Sequence, residues 1–243
     1  MKREKLKWME SFPSNNIYYK DRYGILYNAD TIELLKEFNE NSIDLIVTSP
    51  PYNVGIKYDS WNDNMMLDEY FDFVLEFMEL FKRVLKPSGR FAINILYDVN
   101  MKQNGNHHRL SPLCEYYSIL KKVGLKYASI VDLVEEHPHR TKYTAWGSYM
   151  SASSPYIYNP KECILIGYKD QWKREDDGKS TMTKEEFIEI VGGLWKYRAE
   201  TRKLTQANFS MDIPLKAIKG MSYEDDIILD PFSGSGTTLY VAK

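Results

Sequence analysis

The chain has 243 residues and a net charge of −2, because 34 Asp and Glu residues outnumber 32 Lys and Arg residues. This length is typical of one domain, and the charge balance excludes a globally basic surface. Hydrophobic residues at 43% and charged residues at 27% indicate a globular protein. No apolar run reaches the roughly 18 residues of a membrane span, and two cysteines cannot form a disulfide framework. We therefore expect a cytoplasmic protein with no membrane partner.

Strand-like apolar runs alternate with amphipathic, helix-like patterns along the chain, which predicts an α/β sheet. In the first half we predict a helix over 31–38, a strand over 43–47, a helix over 68–85 and a strand over 90–96. The sequence Lys86-Pro-Ser-Gly89 between the last two is a helix stop signal.

The second half continues the same alternation. We predict helices over 110–123, 184–191 and 213–219, and strands over 127–134, 163–168 and 226–230. Two segments do not follow the alternation of helices and strands. The loop 137–160 is longer than ordinary connections, and 169–179 is so rich in charge that we expect an exposed loop.

The first motif, Thr48-Ser-Pro-Pro-Tyr-Asn53, directly follows the strand 43–47. Ligands bind at the carboxyl ends of strands in open α/β sheets. The prolines fix φ and remove backbone donors, so the turn is stiff. It can direct the Ser49 hydroxyl and the Pro50 carbonyl at one amino group, with the Tyr52 ring as a stacking face. A simple Pro-Pro strand terminator remains the alternative.

The second motif, Asp230-Pro-Phe-Ser-Gly-Ser-Gly-Thr-Thr238, also follows a strand. Gly234 and Gly236 allow a backbone to approach a ligand closely. A phosphate-binding P-loop would need Lys where Thr237 stands, and a dinucleotide fingerprint would need glycine where Leu239 stands. Both nucleotide motifs therefore fit poorly, and a tight glycine turn without a ligand remains an alternative.

Together the two motifs resemble those of the β-class DNA amino-methyltransferases, which use S-adenosylmethionine (SAM) to methylate N4 of cytosine or N6 of adenine. In that family an (S/D/N)PP(Y/F) tetrad holds the target amino group and a DPFxGSGTT motif holds SAM. The resemblance covers residues 24–243. It implies a Rossmann-like α/β fold with a mostly parallel sheet, helices on both faces and a circularly permuted motif order, in one catalytic domain over 1–243.

The resemblance makes Ser49, Pro50, Pro51 and Tyr52 the catalytic tetrad. Serine at the first position is mostly found in cytosine-N4 enzymes, so it implies that specificity, with adenine-N6 as the alternative. The lone pair of an exocyclic amine is delocalised into the ring. Hydrogen bonds to Ser49 Oγ and the Pro50 carbonyl would localise it for direct transfer, while Tyr52 stacks on the flipped base.

The resemblance also implies a SAM site, and no metal site is expected. The SAM contacts would come from Asp230, Phe232, Ser233, Gly234, Gly236 and Thr237, and from Asn208, Phe209 and Ser210. Asp30 stands where the family has an acidic residue near the SAM adenine. Equally, Asp30-Thr-Ile-Glu33 is a capping box that would start the next helix, and one residue can do both.

The implied substrate is double-stranded DNA, and the implied setting is a restriction–modification system. Segments 137–160 and 169–205 are then candidate target-recognition insertions. Cations mixed with aromatic residues are typical of contacts to flipped or single-stranded bases. The candidate DNA contacts are His139, Arg140, Lys142, Trp146, Lys196 and Arg198. For Lys196 and Arg198, a solvated surface remains an equal alternative.

A second class of function stays open, a methyltransferase half that binds DNA but needs a partner for turnover. In the family, a helix and then a strand with a terminal acidic residue follow the glycine-rich motif. Here only residues 239–243 follow it. From this we expect the sheet to lack its last strand or strands, and the chain alone to bind SAM weakly. A homodimer or a complementing second chain would be the partner.

Overall fold

The computed structural model describes residues 4–58, 61–103, 106–135, 148, 150–155, 161–198 and 209–243. The strands are β1 (Ile17–Lys20), β2 (Ile25–Tyr27), β3 (Ile43–Thr48), β4 (Leu85–Leu96), β5 (Val99–Gln103), β6 (Asn106–Leu110), β7 (Lys126–Glu135), β8 (Glu162–Tyr168), β9 (Leu194–Tyr197) and β10 (Ile228–Leu229). The helices are α1 (Thr31–Glu37), α2 (Leu67–Val84), α3 (Pro112–Val123), α4 (Lys184–Val191), α5 (Asp212–Met221) and α6 (Thr237–Ala242), after a 3-10 helix over Glu4–Ser11.

Six strands form the central sheet in the order β10-β3-β4-β8-β7-β9. Only β8 runs opposite to the others, because it pairs antiparallel with both β4 and β7. The remaining pairs, β10–β3, β3–β4 and β7–β9, are parallel. The predicted mostly parallel α/β sheet is confirmed. Five strands therefore end, and β8 begins, at the same end of the sheet, which we call the carboxyl edge.

Helices cover both faces of this sheet, as predicted. Strands buried on both faces have near-continuous apolar sequences, and β3, β4 and β8 show this pattern. Alternate residues of β4 divide between the faces: Phe91, Ile93 and Ile95 pack with α1, α2 and α3. Ala92 lies on the other face, with Ile213 of α5. None of the described helices is both long and apolar enough to cross a membrane.

The structure confirms each predicted helix and strand, with small shifts at their ends. The largest shift is at β4, which begins at Leu85 instead of residue 90. The helix α2 does end at Val84, as the stop signal predicts, but no loop follows it. Instead Leu85 pairs with Ile43 and Arg90 with Leu45, so the residues between bulge out of the ladder. A bulge tolerates the proline that an ordinary central strand would not.

Several short elements were not predicted from the sequence. They are β1, the hairpin β5–β6 and the sheet strand β9. The strand β9 has only four residues, and its single buried residue, Trp195, gives too short a pattern to recognise. Segment 169–205, expected as an insertion, therefore also supplies α4 and β9 around the central sheet.

The structure confirms the predicted exposed loop over 169–179, with Arg174 as an exception to its exposure. Its side chain is only 7% exposed and forms ion pairs with Asp176 and Asp226. Arg174 Nη2 also lies 3.8 Å from Asp44, which Lys86 Nζ contacts at 2.7 Å. Two cations thus compensate the carboxylates at the end of the sheet opposite the carboxyl edge. The charged segment 169–179 therefore has both a solvated surface and, in Arg174, a side chain that fixes it to the sheet by ion pairs.

We predict that Arg174→Met lowers the free energy of unfolding by roughly 3–5 kcal/mol, because removing one partner leaves buried charge uncompensated. Urea denaturation measures this. The matched control is Lys179→Met, which removes an ion pair to Glu224 from a side chain that is 75% exposed. Its cost should stay below about 1 kcal/mol. Equal losses for the two variants would show that Arg174 has no special anchoring role.

Candidate active site at the carboxyl edge

The two sequence motifs meet at the carboxyl edge. The strands β3 and β10 are parallel neighbours, so the turns that follow them leave the sheet side by side. Thr48 Oγ1 donates a hydrogen bond of 2.7 Å to Asp230 Oδ1, which joins residues 182 positions apart. The sequence predicted each turn separately, and the structure brings them into direct contact.

Asp230 organises the glycine-rich turn. Besides the bond from Thr48, it accepts hydrogen bonds from Thr238 Oγ1 at 2.5 Å and from the Phe232 amide at 3.1 Å. Burial raises the pKa of the Asp230 carboxyl, and the bonds from Thr238, Thr48 and Phe232 oppose that rise. Both carboxylate oxygens are therefore occupied by protein donors, and Asp230 fixes the shape of the turn. Its contact with SAM stays a prediction.

The turn itself leaves room for a ligand beside its backbone. Gly234 and Gly236 have φ values of 49° and 81°, which favour glycine. A Cβ built on Gly236 would meet no atom within 4 Å. Its amide donates to the Ser233 carbonyl at 2.7 Å, and Thr237 begins α6 directly after it. An open glycine backbone of this kind fits close approach by a cofactor.

The neighbours of this turn come from α1 and α2. The Phe232 ring packs edge-on against Phe77 and Phe73 of α2, with ring centroids 5.4 and 6.0 Å apart, so Phe232 also serves the core. Thr31 Oγ1 donates to the Pro231 carbonyl at 2.5 Å and holds the start of α1 against the turn. Asp30, just before it, accepts from the Glu33 amide at 3.1 Å. Asp30 is thus the N-cap of α1, while the Glu33 carboxylate, the other half of the predicted capping box, accepts from Lys36 Nζ at 2.9 Å.

Residues of the predicted tetrad form a short polar chain with Glu162. Ser49 Oγ lies 3.1 Å from the Tyr52 hydroxyl, which donates to Glu162 Oε2 at 3.3 Å. The Pro51 carbonyl accepts from the Tyr70 hydroxyl at 2.9 Å. No described residue donates to the Pro50 carbonyl. Ser49 and Pro50 thus offer acceptors at the position where the sequence placed them.

The loop after Tyr52 is fixed by two polar side chains that sequence analysis missed. Asp63, only 3% exposed, accepts from the amides of Asn53, Val54 and Ile56 at 2.9–3.1 Å. The Asn53 side chain bonds both to the Met65 amide and to its carbonyl. These bonds hold Asn53 at a φ of 57° and make the segment after the tetrad rigid.

Glu162 and Asn94 lie beside the predicted tetrad, and the motifs did not indicate either of them. Because β8 runs antiparallel, its first residue Glu162 lies opposite Leu96 at the carboxyl edge. Asn94 Nδ2 donates to Glu162 Oε2 at 2.6 Å, while its Oδ1 is buried without a hydrogen-bond partner in the described part of the chain. Burial raises the pKa of Glu162, against the hydrogen bonds from Asn94 and Tyr52. A polar residue inside the apolar run RFAINIL is the signal that could have revealed Asn94.

Of the remaining predicted DNA and SAM contacts, some lie outside the residues that the structure describes and some lie within them. His139, Arg140, Lys142, Trp146 and Asn208 lie outside the described residues. Phe209 packs against the core on the α5 face, and Ser210 is buried, with its Oγ accepting from the Asp212 amide at 3.4 Å. Ser210 thus bonds to the first residue of α5 and Phe209 packs in the core, while the SAM contacts of both stay predictions.

Lys196 and Arg198 line a cavity of about 400 Å³ with residues of α4 and α5. Its cations share the space with acids: Lys216 pairs with Glu189 at 2.9 Å, and Asp212 accepts from the Arg198 amide at 2.9 Å. The predicted basic stripe is thus part of a mixed-charge surface. Among the described residues no cluster of His, Cys, Asp and Glu could hold a metal ion.

Comparison with known proteins gives a consistent result. The model of a DNA methylase family, N6_N4_Mtase, matches residues 43–243. The Type II methyltransferase M.MjaVI of Methanocaldococcus jannaschii is 40% identical over 179 residues, which cover 73% of this chain and 87% of that protein. The Type II methyltransferase M.BglII of Bacillus subtilis is 28% identical over 241 residues, or 92% of this chain and 63% of that protein.

Solved structures share the fold. The PvuII DNA methyltransferase, described as cytosine-N4-specific, matches with a TM-score of 0.68 and 21% identity, over 94% of this chain and 81% of that one. TTHA0409 from Thermus thermophilus, solved with S-adenosyl-L-methionine, matches with a TM-score of 0.65 and 24% identity, over 88% and 82%. The fold described above is therefore shared with these two solved structures.

We predict that Thr238→Val lowers the free energy of unfolding by about 1–3 kcal/mol, because the half-buried Asp230 carboxylate loses a hydrogen bond while side-chain volume is kept. Urea denaturation measures the loss. The control is Thr237→Val, whose hydroxyl lies 3.3 Å from the exposed Ser235 Oγ and makes no contact with Asp230. Its cost should be within about 0.5 kcal/mol. A loss as large at position 237 would contradict the organising role of Asp230.

Proposed function

Because the chain belongs to the N6/N4 DNA methylase family, we propose that it transfers a methyl group to the exocyclic N4 amine of cytosine in double-stranded DNA. S-adenosylmethionine is the methyl donor of this family of DNA amino-methyltransferases. M.MjaVI and M.BglII are named Type II methyltransferases. We extend that setting to this chain and propose that it serves a restriction–modification system.

The observation that carries this proposal is the contact between the two motif turns. The Thr48–Asp230 hydrogen bond joins the residue before Ser49 to the residue at the start of the turn that contains Gly236. An amino group held by the first turn would face a methyl donor held by the second. Such positioning accounts for much of the rate of a direct transfer.

The side chains supply the remaining chemistry. Ser49 Oγ and the Pro50 carbonyl would accept the two N–H groups of the exocyclic amine and draw its lone pair out of the ring. This localised lone pair attacks the methyl group that SAM supplies, and no covalent bond to the protein is needed. Acceptors fixed before the reaction stabilise the positive charge that develops on the amine.

Tyr52 would place the base after it leaves the duplex. In the structure its hydroxyl is held by Ser49 and Glu162, and it lies in a small cavity with Tyr70 and Tyr116. A ring fixed in this way is a suitable stacking surface for a flipped base.

Cytosine is proposed over adenine because Ser49 stands at the first position of the tetrad. Members of the family with Asp or Asn there are mostly adenine-N6 enzymes, and the resemblance to those with serine supports N4. Adenine-N6 methylation remains the second candidate within the same chemistry.

We also propose that Lys196 and Arg198 contribute to DNA binding. They lie at and just after the end of β9, so both are at the carboxyl edge with the tetrad. Acidic side chains in the same cavity would reduce its positive potential. Phosphate contacts there would position the duplex without selecting its sequence.

The direct test of function is incubation of the chain with unmethylated plasmid DNA and radiolabelled SAM, followed by digestion and nucleoside analysis. We expect labelled N4-methylcytosine. Labelled N6-methyladenine would contradict the cytosine assignment, and an absence of label would contradict methyl transfer by this chain.

Ser49→Ala should lower the rate on the order of 100-fold, because one preorganised hydrogen-bond partner is lost. Tyr52→Ala should lose most turnover while its affinity for SAM is unchanged.

SAM binding by the glycine-rich turn is tested with Gly236→Ala, for which we expect about a tenfold weaker affinity by calorimetry. The added methyl group would occupy the open space beside the turn. Gly193→Ala is the matched control, because Gly193 also has a positive φ, 72°, and no atom within 4 Å of a built Cβ. Both variants carry a similar backbone strain of about 1–2 kcal/mol. Equal affinities in the two variants would contradict a SAM site at Gly236.

A further inference from the structure

Glu162 lies at the far end of a hydrogen-bond chain that starts at the proposed catalytic serine. Ser49 Oγ and the Tyr52 hydroxyl are 3.1 Å apart, and the Tyr52 hydroxyl is 3.3 Å from Glu162 Oε2. These distances are long for O–H···O bonds, as is common in active sites before substrate binds and shortens them. No sequence motif of the chain contains Glu162.

The direction of each bond follows from what each group can donate. An ionised carboxylate only accepts, so the single hydrogen of the Tyr52 hydroxyl must be directed to Glu162. The Tyr52 oxygen is then left as an acceptor, and the Ser49 hydroxyl hydrogen is directed to it. The lone pairs of Ser49 Oγ remain for the N–H of a target amine. Without the carboxylate, the Tyr52 hydroxyl is free to donate to Ser49 Oγ instead. The Ser49 hydroxyl hydrogen would then turn away from Tyr52, into the space that the N–H of the target amine needs.

We propose that Glu162 is a positioning residue that fixes the direction of the Ser49–Tyr52 hydrogen bond and so keeps Ser49 Oγ an acceptor for the target amino group. This inference rests on the proposed function, since it assigns Glu162 a part in amine binding. It adds to the tetrad a residue from β8, the strand that runs opposite to the rest of the sheet.

Asn94 holds the carboxylate in this role. Its Nδ2 donates to Glu162 Oε2 at 2.6 Å, the same oxygen that accepts from Tyr52. Asn94 is 3% exposed and lies on the central strand β4, paired directly with β8. The acceptor is therefore fixed by the most buried part of the fold, and a glutamine at position 162 would be oriented by Asn94 with its oxygen toward Tyr52.

Protonation of Glu162 would remove the constraint on direction, because a neutral carboxyl can also donate. The ionisable groups near it are Glu135 at the end of β7, Tyr197 of β9, Cys163 beside it on β8 and Tyr52. Burial and then the Glu135 carboxylate raise the pKa of Glu162, against the bonds from Asn94 and Tyr52. Burial raises the pKa of Tyr197 and of Cys163 to about 12, so neither carries charge near neutrality. The ionised form of Glu162 should be lost as pH falls through this raised pKa.

The first experiment compares single-turnover methyl transfer to unmethylated plasmid DNA by Glu162→Leu, Tyr52→Phe and the double variant. Each single change should lower the rate on the order of 100-fold, as for loss of a preorganised catalytic hydrogen bond. The double variant should be no slower than the slower single variant, because both changes break the same chain. Losses that multiply, or a Glu162→Leu rate equal to the parent rate, would overturn the proposal.

Two further variants separate positioning from folding. Glu162→Gln should keep its rate within about tenfold of the parent, since an amide oxygen can replace the carboxylate, and should lose the fall in rate at low pH. The control Glu135→Gln removes the neighbouring carboxylate and should keep that fall. SAM affinity and the unfolding midpoint should match the parent in both variants. A pH profile of Glu162→Gln identical to that of the parent would overturn the proposal.

The outcomes for the proposal and for the function differ. If the parent chain methylates DNA and Glu162→Leu does so equally well, the function stands and Glu162 has no role in it. If the parent chain transfers no methyl group to DNA, the proposed function fails, and the role of Glu162 fails with it.

Discussion

The hydrogen bond from Thr48 to Asp230 is the contact on which the site depends. It links the ends of two parallel strands that are far apart in sequence, at an edge where burial raises the pKa of the carboxyl. Thr48 is fully buried, so the bond is shielded from competing water. The tetrad begins at the next residue after Thr48, and the glycine-rich turn at the next residue after Asp230. A shift of one residue between β3 and β10 would break this contact and separate the two motif turns, which we propose to hold the amine and the methyl donor.

The carboxylates at the two ends of the sheet are compensated in different ways. At the end opposite the carboxyl edge, Arg174 and Lys86 supply cations to Asp44 and its neighbours. At the carboxyl edge, the contacts recorded for Asp230 and Glu162 are with hydroxyl and amide donors. Cations thus compensate the carboxylates at the end away from the two motifs. Neutral hydrogen-bond donors hold the carboxylates at the end where the two motifs meet.

The sequence predicted those parts of the fold and of the candidate site that depend on residues close together in the chain. The strand before Ser49, the long helix α2 and the two turns follow from apolar runs, proline and glycine, which act within a few residues. The mostly parallel sheet follows from their alternation. Glu162 was not predictable in this way, because its position depends on the antiparallel pairing of β8 with β4. Arg174 shows the same limit, since a charged segment does not reveal which of its cations is buried.

The reversed direction of β8 has a consequence for how such a protein can diversify. Because β7 ends and β8 begins at the carboxyl edge, the chain between residues 135 and 162 leaves from this edge and returns to it. The chain after β9 likewise leaves at this edge, and the Arg198 amide is tied to Asp212 at the start of α5. Both connections can lengthen, shorten or change sequence without altering one strand pairing. Changes in these connections therefore need not alter the register that aligns the two motifs.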